Sequence, residues 1–154
     1  MAAVLITGAT GKQGGSLIRS LVSRNAPFEI LAVTRNPTSA SAQKLKSLSS
    51  KIKLVEGDLD SPADIFQKAQ SLTSVEIWGV YSVQAAIGNS GEESQDKALV
   101  DEAIKQNVKF FVYSSVDRGG DERSYKNPTK IPHFVKKHNI EKHLLEDLKN
   151  SGMD

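Results

Sequence analysis

The sequence predicts an α/β fold in which helices cover both faces of a doubly wound parallel sheet of about five strands. Short apolar runs recur along the 154 residues, and each is followed by a turn and by a segment with helical spacing of its apolar residues. The composition, with 38% hydrophobic and 25% charged residues, is typical of one globular domain. Right-handed crossovers between such units give a parallel sheet with helices on both sides. For a doubly wound sheet we expect the strand order 3-2-1-4-5.

The apolar runs that predict strands are short and rich in β-branched residues. Most of them are apolar almost without interruption, which is typical of strands covered on both faces. The five runs are Ala3 to Thr7, Glu29 to Thr34, Ile52 to Glu56, Val75 to Tyr81 and Lys109 to Ser114.

Five helices are expected between and after these strands. The start of the third is the most explicit, because Ser61 occupies an N-cap position and Pro62 the first helical position. The last begins after Pro132, and Ser151-Gly152 is a candidate C-cap. The apolar residues that mark the other faces include Leu17, Ile18, Leu21, Val22, Leu45, Leu48, Leu99, Val100, Ala103, Ile104, Ile140 and Leu144.

Two irregular segments follow the fourth and fifth strands. They are Gln84 to Glu93 and the longer, polar Asp117 to Ile131. Both leave the carboxyl ends of strands, where open α/β sheets bind ligands. For the longer segment two interpretations remain open, a lid or substrate loop and a disordered surface loop.

Charge and composition exclude several classes of function. The formal net charge is only +2, with no long Lys or Arg run, so we expect neither nucleic acid nor a membrane as a partner. The absence of Cys excludes thiolate metal sites and disulfides. His133, His138 and His143 recur every five residues, about 140° apart around a helix, so no metal site is expected.

A glycine turn lies between the first strand and the first helix, in the sequence Gly8-Ala9-Thr10-Gly11-Lys12-Gln13-Gly14-Gly15. Gly8 permits a sharp turn, Gly11 a close approach of the backbone to a pyrophosphate, and Gly14 close packing of the helix on the sheet. This arrangement predicts a Rossmann-like dinucleotide site. The alternative is a tight turn with a purely structural role.

We expect the pyrophosphate to be bound by Gly8, Thr10, Gly11, Lys12, Gln13 and Gly14. The amides from Thr10 to Gln13 are predicted to be free, and the helix dipole favours an anion at this end. No Gly-Lys-Ser/Thr follows at the spacing of a Walker A loop, which excludes that class of phosphate site.

The end of the second strand indicates which dinucleotide is preferred. An NAD site would hold Asp or Glu here, whereas this sequence reads Thr34-Arg35-Asn36-Pro37. A guanidinium at Arg35 can pair with a 2′-phosphate and stack on adenine, so we predict NADP(H) in preference to NAD(H). The alternative is a solvated surface arginine.

An acidic turn, Gly57-Asp58-Leu59-Asp60, follows the third strand. Asp58 is placed to accept from the adenine amino group, and Leu59 to lie against the ring. Alternatively, Asp58 only shapes the turn before Ser61.

These segments, together with Val112-Tyr113-Ser114-Ser115 and His133-Phe134 followed by Lys137, resemble the NmrA-like family of atypical short-chain dehydrogenases/reductases. The resemblance implies a domain that binds NADP(H) and changes conformation or protein partner with the state of the cofactor. We therefore expect a redox-sensing regulatory module without turnover, in the cytoplasm or also the nucleus, with a role in transcriptional regulation.

The resemblance also raises the question of catalysis. Ordinary members of the superfamily use a Tyr-x-x-x-Lys pair, but this chain has His133 four residues before Lys137. Lys137 is expected at the nicotinamide ribose, flanked by Tyr81 and Ser82. His133 is expected to be a helix-start residue, with a role as the acid as the alternative. A second function is therefore an NADPH-dependent reductase of a carbonyl, quinone or enone that uses Lys137.

We treat residues 1–154 as one dinucleotide-binding domain. Because family members continue into further strands and a smaller domain, the chain is expected to be a truncated form or a fragment, and a third function is weak or absent cofactor binding. The fifth strand would then be an open edge, which predicts a homodimer formed through it.

Overall fold

A computed structural model describes residues 1–84 and 91–151 of the chain. Its centre is a five-stranded sheet in the order β3-β2-β1-β4-β5, and the strand pairs are all parallel. The predicted fold class and strand order are therefore confirmed. The strands are β1 (Ala2–Ile6), β2 (Phe28–Thr34), β3 (Ile52–Glu56), β4 (Ile77–Ser82) and β5 (Phe110–Tyr113).

Helices connect these strands. They are α1 (Lys12–Ser23), α2 (Ala40–Lys46), α3 (Pro62–Leu72), α4 (Glu92–Lys105), α5 (Asp121–Ser124) and α6 (Pro132–Ser151). The short α5 was not expected, because its four residues lie within a polar segment without helical periodicity. Gly152, the expected C-cap, and residues 85–90 of the first irregular segment lie outside the described residues.

The two faces of the sheet have separate apolar cores. Leu5 of β1 packs in a cluster that includes Phe66 of α3 and Leu99 of α4. On the opposite face, Ile6 packs in a cluster that includes Ile18 of α1 and Leu45 of α2. Successive strand residues therefore point to opposite cores, which explains why the strands read as nearly continuous apolar runs.

Ser61 stands at the start of α3 as expected, with Pro62 at the first helical position, but its side chain makes no capping hydrogen bond. Its backbone amide instead donates to the Asp58 carbonyl oxygen at 3.0 Å. The predicted side-chain cap is therefore not formed, and the turn before α3 is closed by a backbone hydrogen bond.

The parallel strands present all their carboxyl ends at one edge of the sheet, where the chain crosses into the helices. The glycine turn after β1, Arg35 after β2 and the acidic turn after β3 meet there. Within residues 1–84 and 91–151, no helix combines the length and the apolar character that a membrane span would need.

Candidate cofactor-binding site

A cleft of about 730 Å³ lies at the carboxyl ends of β1, β2 and β3. Its volume is in the range of about 300–1,000 Å³ that is typical of ligand sites. The residues that line it include Gly8, Thr10, Gly11, Lys12, Gln13, Arg35, Asp58 and Leu59. Eight of the residues expected at a dinucleotide are thus brought together around one cavity, although which of them contact a cofactor stays a prediction.

Two glycines fix the shape of the turn that opens this cleft. Gly8 has a φ of +56°, and a Cβ there would stand 2.8 Å from a side-chain carbon of Val83. A Cβ on Gly14 would lie 2.4 Å from the carbonyl oxygen of Gly8. Gly14 therefore allows α1 to begin directly against the turn, so that the start of the helix faces the cleft.

The backbone amides differ in one respect from the expectation. The Gly11 amide is not free, because it donates to the carbonyl oxygen of Gly8 at 2.9 Å and closes the turn. Lys12 and Gln13 open α1, and amides in the first turn of a helix have no partner within the helix. The amides that are free to face the cleft therefore belong to the first residues of α1, and their binding of an anion stays a prediction.

Arg35 lies directly after β2 and is exposed. It lines both the main cleft and a second cavity of about 270 Å³ beside the acidic turn. Across the described ranges of the chain, Arg35 makes no hydrogen bond or ion pair with another residue. Its guanidinium is thus a cation without a partner at the edge of the cleft.

Asp58 and Leu59 line the cleft opposite the glycine turn. One carboxylate oxygen of Asp58 accepts from the backbone amide of Asp60 at 3.1 Å, so Asp58 does shape this turn. The same carboxylate remains exposed on the cleft side. Both interpretations of Asp58 are consistent with this geometry.

A polar bridge crosses the end of the cleft near β4 and β5. The hydroxyl of Tyr81 donates to Oε1 of Gln13 at 3.1 Å, and the hydroxyl of Ser114 donates to the same oxygen at 2.6 Å. Gln13 of the glycine turn is thereby joined to the ends of two strands that are remote in sequence.

Lys137 lies behind this bridge on α6 and is buried. Its Nζ donates to the Tyr113 hydroxyl at 3.2 Å and to the Ser114 carbonyl oxygen at 3.0 Å. The same Nζ lies 3.3 Å from Oε1 of Glu92. His133, one helical turn earlier, places Nδ1 at 3.1 Å from Oε2 of Glu92, so it is a helix-start residue that contacts this cluster.

The sequence did not predict a place in the site for Glu92, Asp96 or Tyr113. Burial raises the pKa of Asp96, although hydrogen bonds from Gln84 and Ser82 and the charge of Lys137 oppose this effect. Burial also raises the pKa of the Tyr113 phenol well above its ordinary range, and nearby carboxylates raise it further. Tyr113 is therefore a neutral phenol beside Lys137.

The predicted nicotinamide end differs from the adenine end, because Tyr81, Ser82 and Lys137 do not line the cleft. Ser82 is fully buried, and its hydroxyl donates to Asp96 at 2.7 Å. Its side chain is thus satisfied inside the protein instead of facing a ligand. The roles of Tyr81, Ser82 and Lys137 at a ribose stay predictions.

The long segment after β5 is held against α6. Arg118 is buried and forms an ion pair with Glu141 of α6, whose carboxylate also accepts from the Ser115 hydroxyl. The carboxylate of Asp117 accepts the amides of Gly119 and Gly120, and these bonds lower its pKa. This segment is therefore packed and hydrogen-bonded, while a role as a lid stays a prediction.

The other two histidines of α6 make separate contacts. His138 bonds the carbonyl oxygen of Tyr125, whereas His143 lies with Asp101 and Asp147. The donor atoms of these last three residues lie within 4.8 Å of one another. The ring nitrogen of His143 contacts both carboxylates directly, which accounts for the cluster as a surface ion pair.

The family model described as the NmrA-like family matches residues 2–151. The chain belongs to the NmrA-like family. Among curated members, the NmrA-like family domain-containing oxidoreductase hkm9 of Aspergillus hancockii is 35% identical over 119 residues, which cover 73% of this chain and 33% of that protein. The chain spans about a third to a half of the length of the curated relatives it matches.

Solved structures show the same NmrA-like fold. The Citrobacter sp. triphenylmethane reductase complexed with NADP(H) has a TM-score of 0.69 at 21% identity, over 94% of this chain and 45% of that one. NmrA, a negative transcriptional regulator in complex with NADP, has a TM-score of 0.69 at 19% identity, over 99% of this chain and 43% of that one. NmrA has also been solved with NAD. A reductase and a regulator thus share this Rossmann fold.

Proposed function

We propose that this chain is an NADP(H)-binding domain that senses the state of the nucleotide and regulates a protein partner, without turnover of its own. The observation that carries the proposal is Arg35, whose guanidinium lies at the edge of the cleft and has no partner among residues 1–84 and 91–151. A cation in this place attracts a ligand that carries a phosphate at the adenosine end.

Different residues around the cleft fit the pyrophosphate and the 2′-phosphate of NADP(H). The first residues of α1, Lys12 and Gln13, would hold the pyrophosphate through free helix-start amides and the helix dipole. Gly14 supports this fit, because only a residue without Cβ lets α1 start against the turn. Arg35 would hold the 2′-phosphate, with Asp58 and Leu59 at adenine.

NADP(H) is proposed in preference to NAD(H) because the residue after β2 is Arg35 and not an acidic residue. A carboxylate there would accept both ribose hydroxyls and would repel a 2′-phosphate. Thr34 and Asn36 flank Arg35 instead, and both are neutral. When bound, NADP(H) would supply a hydride donor or acceptor.

A sensing role is supported by the contacts that Lys137 makes inside the protein. Nζ of Lys137 donates to the Tyr113 hydroxyl and to the Ser114 carbonyl oxygen and lies 3.3 Å from Oε1 of Glu92, and Tyr113 is held neutral. This cluster offers no activated phenol. NmrA, which has the same fold, is a negative transcriptional regulator. A cytoplasmic or nuclear location and a regulatory partner are part of the proposal.

Calorimetric titration with NADPH and NADH tests the proposal. We expect NADPH to bind more tightly, and Arg35→Ala to cost on the order of 1 to 3 kcal/mol for NADPH and little for NADH. Arg24→Ala, which removes an exposed arginine after α1, is the matched control and should change neither affinity. Equal wild-type affinities would contradict the NADP(H) preference, and no binding of either nucleotide would favour the third function, a fragment without cofactor binding.

The second candidate function is an NADPH-dependent reductase of a carbonyl, quinone or enone that uses Lys137. It is favoured by the buried ammonium of Lys137 and by relatives that are named oxidoreductases. NADPH consumption with a panel of quinones and enones, abolished in Lys137→Met while NADPH still binds, would support this function over sensing alone. Absence of consumption with every member of the panel would leave the sensing role as the better proposal.

A further inference from the structure

We propose that Glu92 is a positioning residue that holds the ammonium of Lys137 at the nicotinamide end of the cofactor. The inference rests on the proposed function, because it assigns how the cofactor's nicotinamide half is recognised. It concerns a residue of α4, whereas the residues expected from the sequence at this end lie on β4 and α6.

The geometry is that of a carboxylate shared by two groups on one face of α6. Oε1 of Glu92 lies 3.3 Å from Nζ of Lys137, and Oε2 lies 3.1 Å from Nδ1 of His133. His133 and Lys137 are four residues apart, so both face the same side of the helix. The carboxylate therefore links the first turn of α4 to the first turns of α6.

Burial separates this pair from an ordinary surface ion pair. The side chain of Glu92 is 3% exposed and that of Lys137 is 9% exposed. Burying both charges costs desolvation energy, and well-packed apolar residues in place of such a pair are often as stable or more stable. Stability alone therefore gives little reason for the pair, whereas a role of Lys137 at the cofactor, as proposed above, gives a specific one.

The surroundings leave Glu92 as the charged partner that directly faces Lys137. The other two contacts of Nζ are the Tyr113 hydroxyl and the carbonyl oxygen of Ser114, which are both neutral. Asp96 also influences this region electrostatically, but the contact of its carboxyl group is with the Ser82 hydroxyl, which donates to it at 2.7 Å. Without the carboxylate of Glu92, the ammonium would keep its two neutral acceptors and lose the negative charge that lies 3.3 Å away.

The test compares NADPH with 2′-phospho-ADP-ribose, which lacks the nicotinamide riboside. We expect Glu92→Gln to weaken NADPH binding about tenfold or more and to leave 2′-phospho-ADP-ribose within about twofold of the wild type. Lys137→Met should show the same selective loss, while Glu92→Asp should recover part of the NADPH affinity. Equal losses for both ligands, or no loss for either, would overturn the proposal.

Glu93→Gln is the matched control, because it removes a carboxylate from the same turn of α4. Glu93 bonds Lys97 and Asn139 instead of Lys137. We therefore expect the ratio of the two affinities to stay at the wild-type value. A change in this ratio as large as that in Glu92→Gln would attribute the effect to the helix start and would contradict a specific role of Glu92.

A second measurement needs no cofactor. The amine of Lys137 can be acylated with an N-hydroxysuccinimide ester. Mass spectrometry then follows the rate of acylation at Lys137, with the exposed Lys126 as internal reference. We expect severalfold faster modification in Glu92→Gln, and an unchanged rate would contradict the proposal. If the wild type binds neither NADPH nor 2′-phospho-ADP-ribose, the proposed function fails, whereas the acylation rates still decide whether Glu92 positions Lys137.

Discussion

Arg118, whose side chain is 0% exposed, forms an ion pair with Glu141 of α6 and thereby holds the segment between β5 and α6. The same guanidinium donates to the carbonyl oxygens of Val116, Ser124 and Asn127 at 2.8–3.1 Å. One buried cation thus satisfies three carbonyl groups of a segment that has only one short helix of its own. The fold of this segment depends on a tertiary contact.

We predict that Arg118→Met destabilises the protein by about 3 kcal/mol or more, because it leaves three part-buried carbonyl groups and the Glu141 carboxylate without the buried guanidinium. Urea unfolding gives the free energy, and trypsin cleavage after the exposed Arg123 and Lys126 reports on the segment itself.

Lys68→Met is the control, since its ion pair with Asp64 is nearly half exposed and should contribute little to the free energy of unfolding. Equal losses in the two variants, with unchanged trypsin cleavage, would show that Arg118 does not hold the segment.

A second prediction concerns Gly14. Gly14→Ala would bring a methyl group within 2.4 Å of the Gly8 carbonyl oxygen, so α1 or the turn must shift. We expect a loss of about 1–3 kcal/mol in unfolding free energy and weaker NADPH binding, measured by urea unfolding and calorimetry.

Gly15→Ala is the matched control in the same helix. The nearest atom to its new Cβ, at 3.0 Å, is the end of the flexible Arg19 side chain, and the carbonyl oxygen of Ala9 follows at 3.3 Å. Since alanine is also the better helix former, we expect a near-neutral change. If the two variants lose equal stability, close packing at Gly14 is not the cause.

The sheet and the meeting of three turns around one cleft could be predicted from the sequence because their signals are local. The glycine turn, Arg35 and the acidic turn each follow a strand directly, and parallel strands bring such turns to one edge. The bonding of the Gly11 amide inside the turn was not predictable, because it depends on the path of the backbone and not on a residue type.

The cluster around Lys137 could not be predicted in this way, because its residues come from α4, β5 and α6. Glu92 and Asp96 lie one turn apart and in line with the apolar Leu99 and Ala103 of α4. This helical spacing, which places both acidic residues on the apolar face of α4, is the feature of the sequence that indicates that they point inwards. Charged residues at helix starts are usually solvated, so only the packing of α6 on α4 shows why these two are buried.

A third prediction is a pH dependence that arises from Asp96. Because burial raises its pKa in the folded state, the folded protein holds a proton that the unfolded chain releases. Stability therefore falls as pH rises from the ordinary pKa of an aspartate, about 3.9, through the raised value in the folded protein. Asp96→Asn removes this cost and can still accept from Ser82.

We accordingly expect the difference in unfolding free energy between Asp96→Asn and the wild type to shift in favour of the variant between pH 4 and pH 7. Urea unfolding at several pH values measures this difference. Asp121→Asn, at an exposed position in α5, should give a difference that varies little with pH. A constant difference for Asp96→Asn would mean that the buried carboxyl is not the titrating group.

The last prediction concerns the open edge of the sheet at β5, where Phe110 is 40% and Val112 is 38% exposed. Phe110 also continues a stack of aromatic rings across the sheet, with centroids 5.1 Å apart to Trp78 and 5.6 Å from there to Phe28. An unpaired strand with exposed apolar side chains is a template for pairing with a second chain.

We therefore predict that the chain self-associates through β5 and that Val112→Lys weakens this association, because a lysine at the edge must be desolvated on pairing. Sedimentation velocity over a wide concentration range measures it. Leu72→Lys changes an apolar residue of similar exposure on α3 and should leave the association unchanged. A wild-type chain that stays monomeric at every concentration would contradict the prediction, and NADPH binding by Val112→Lys would show that the variant is folded.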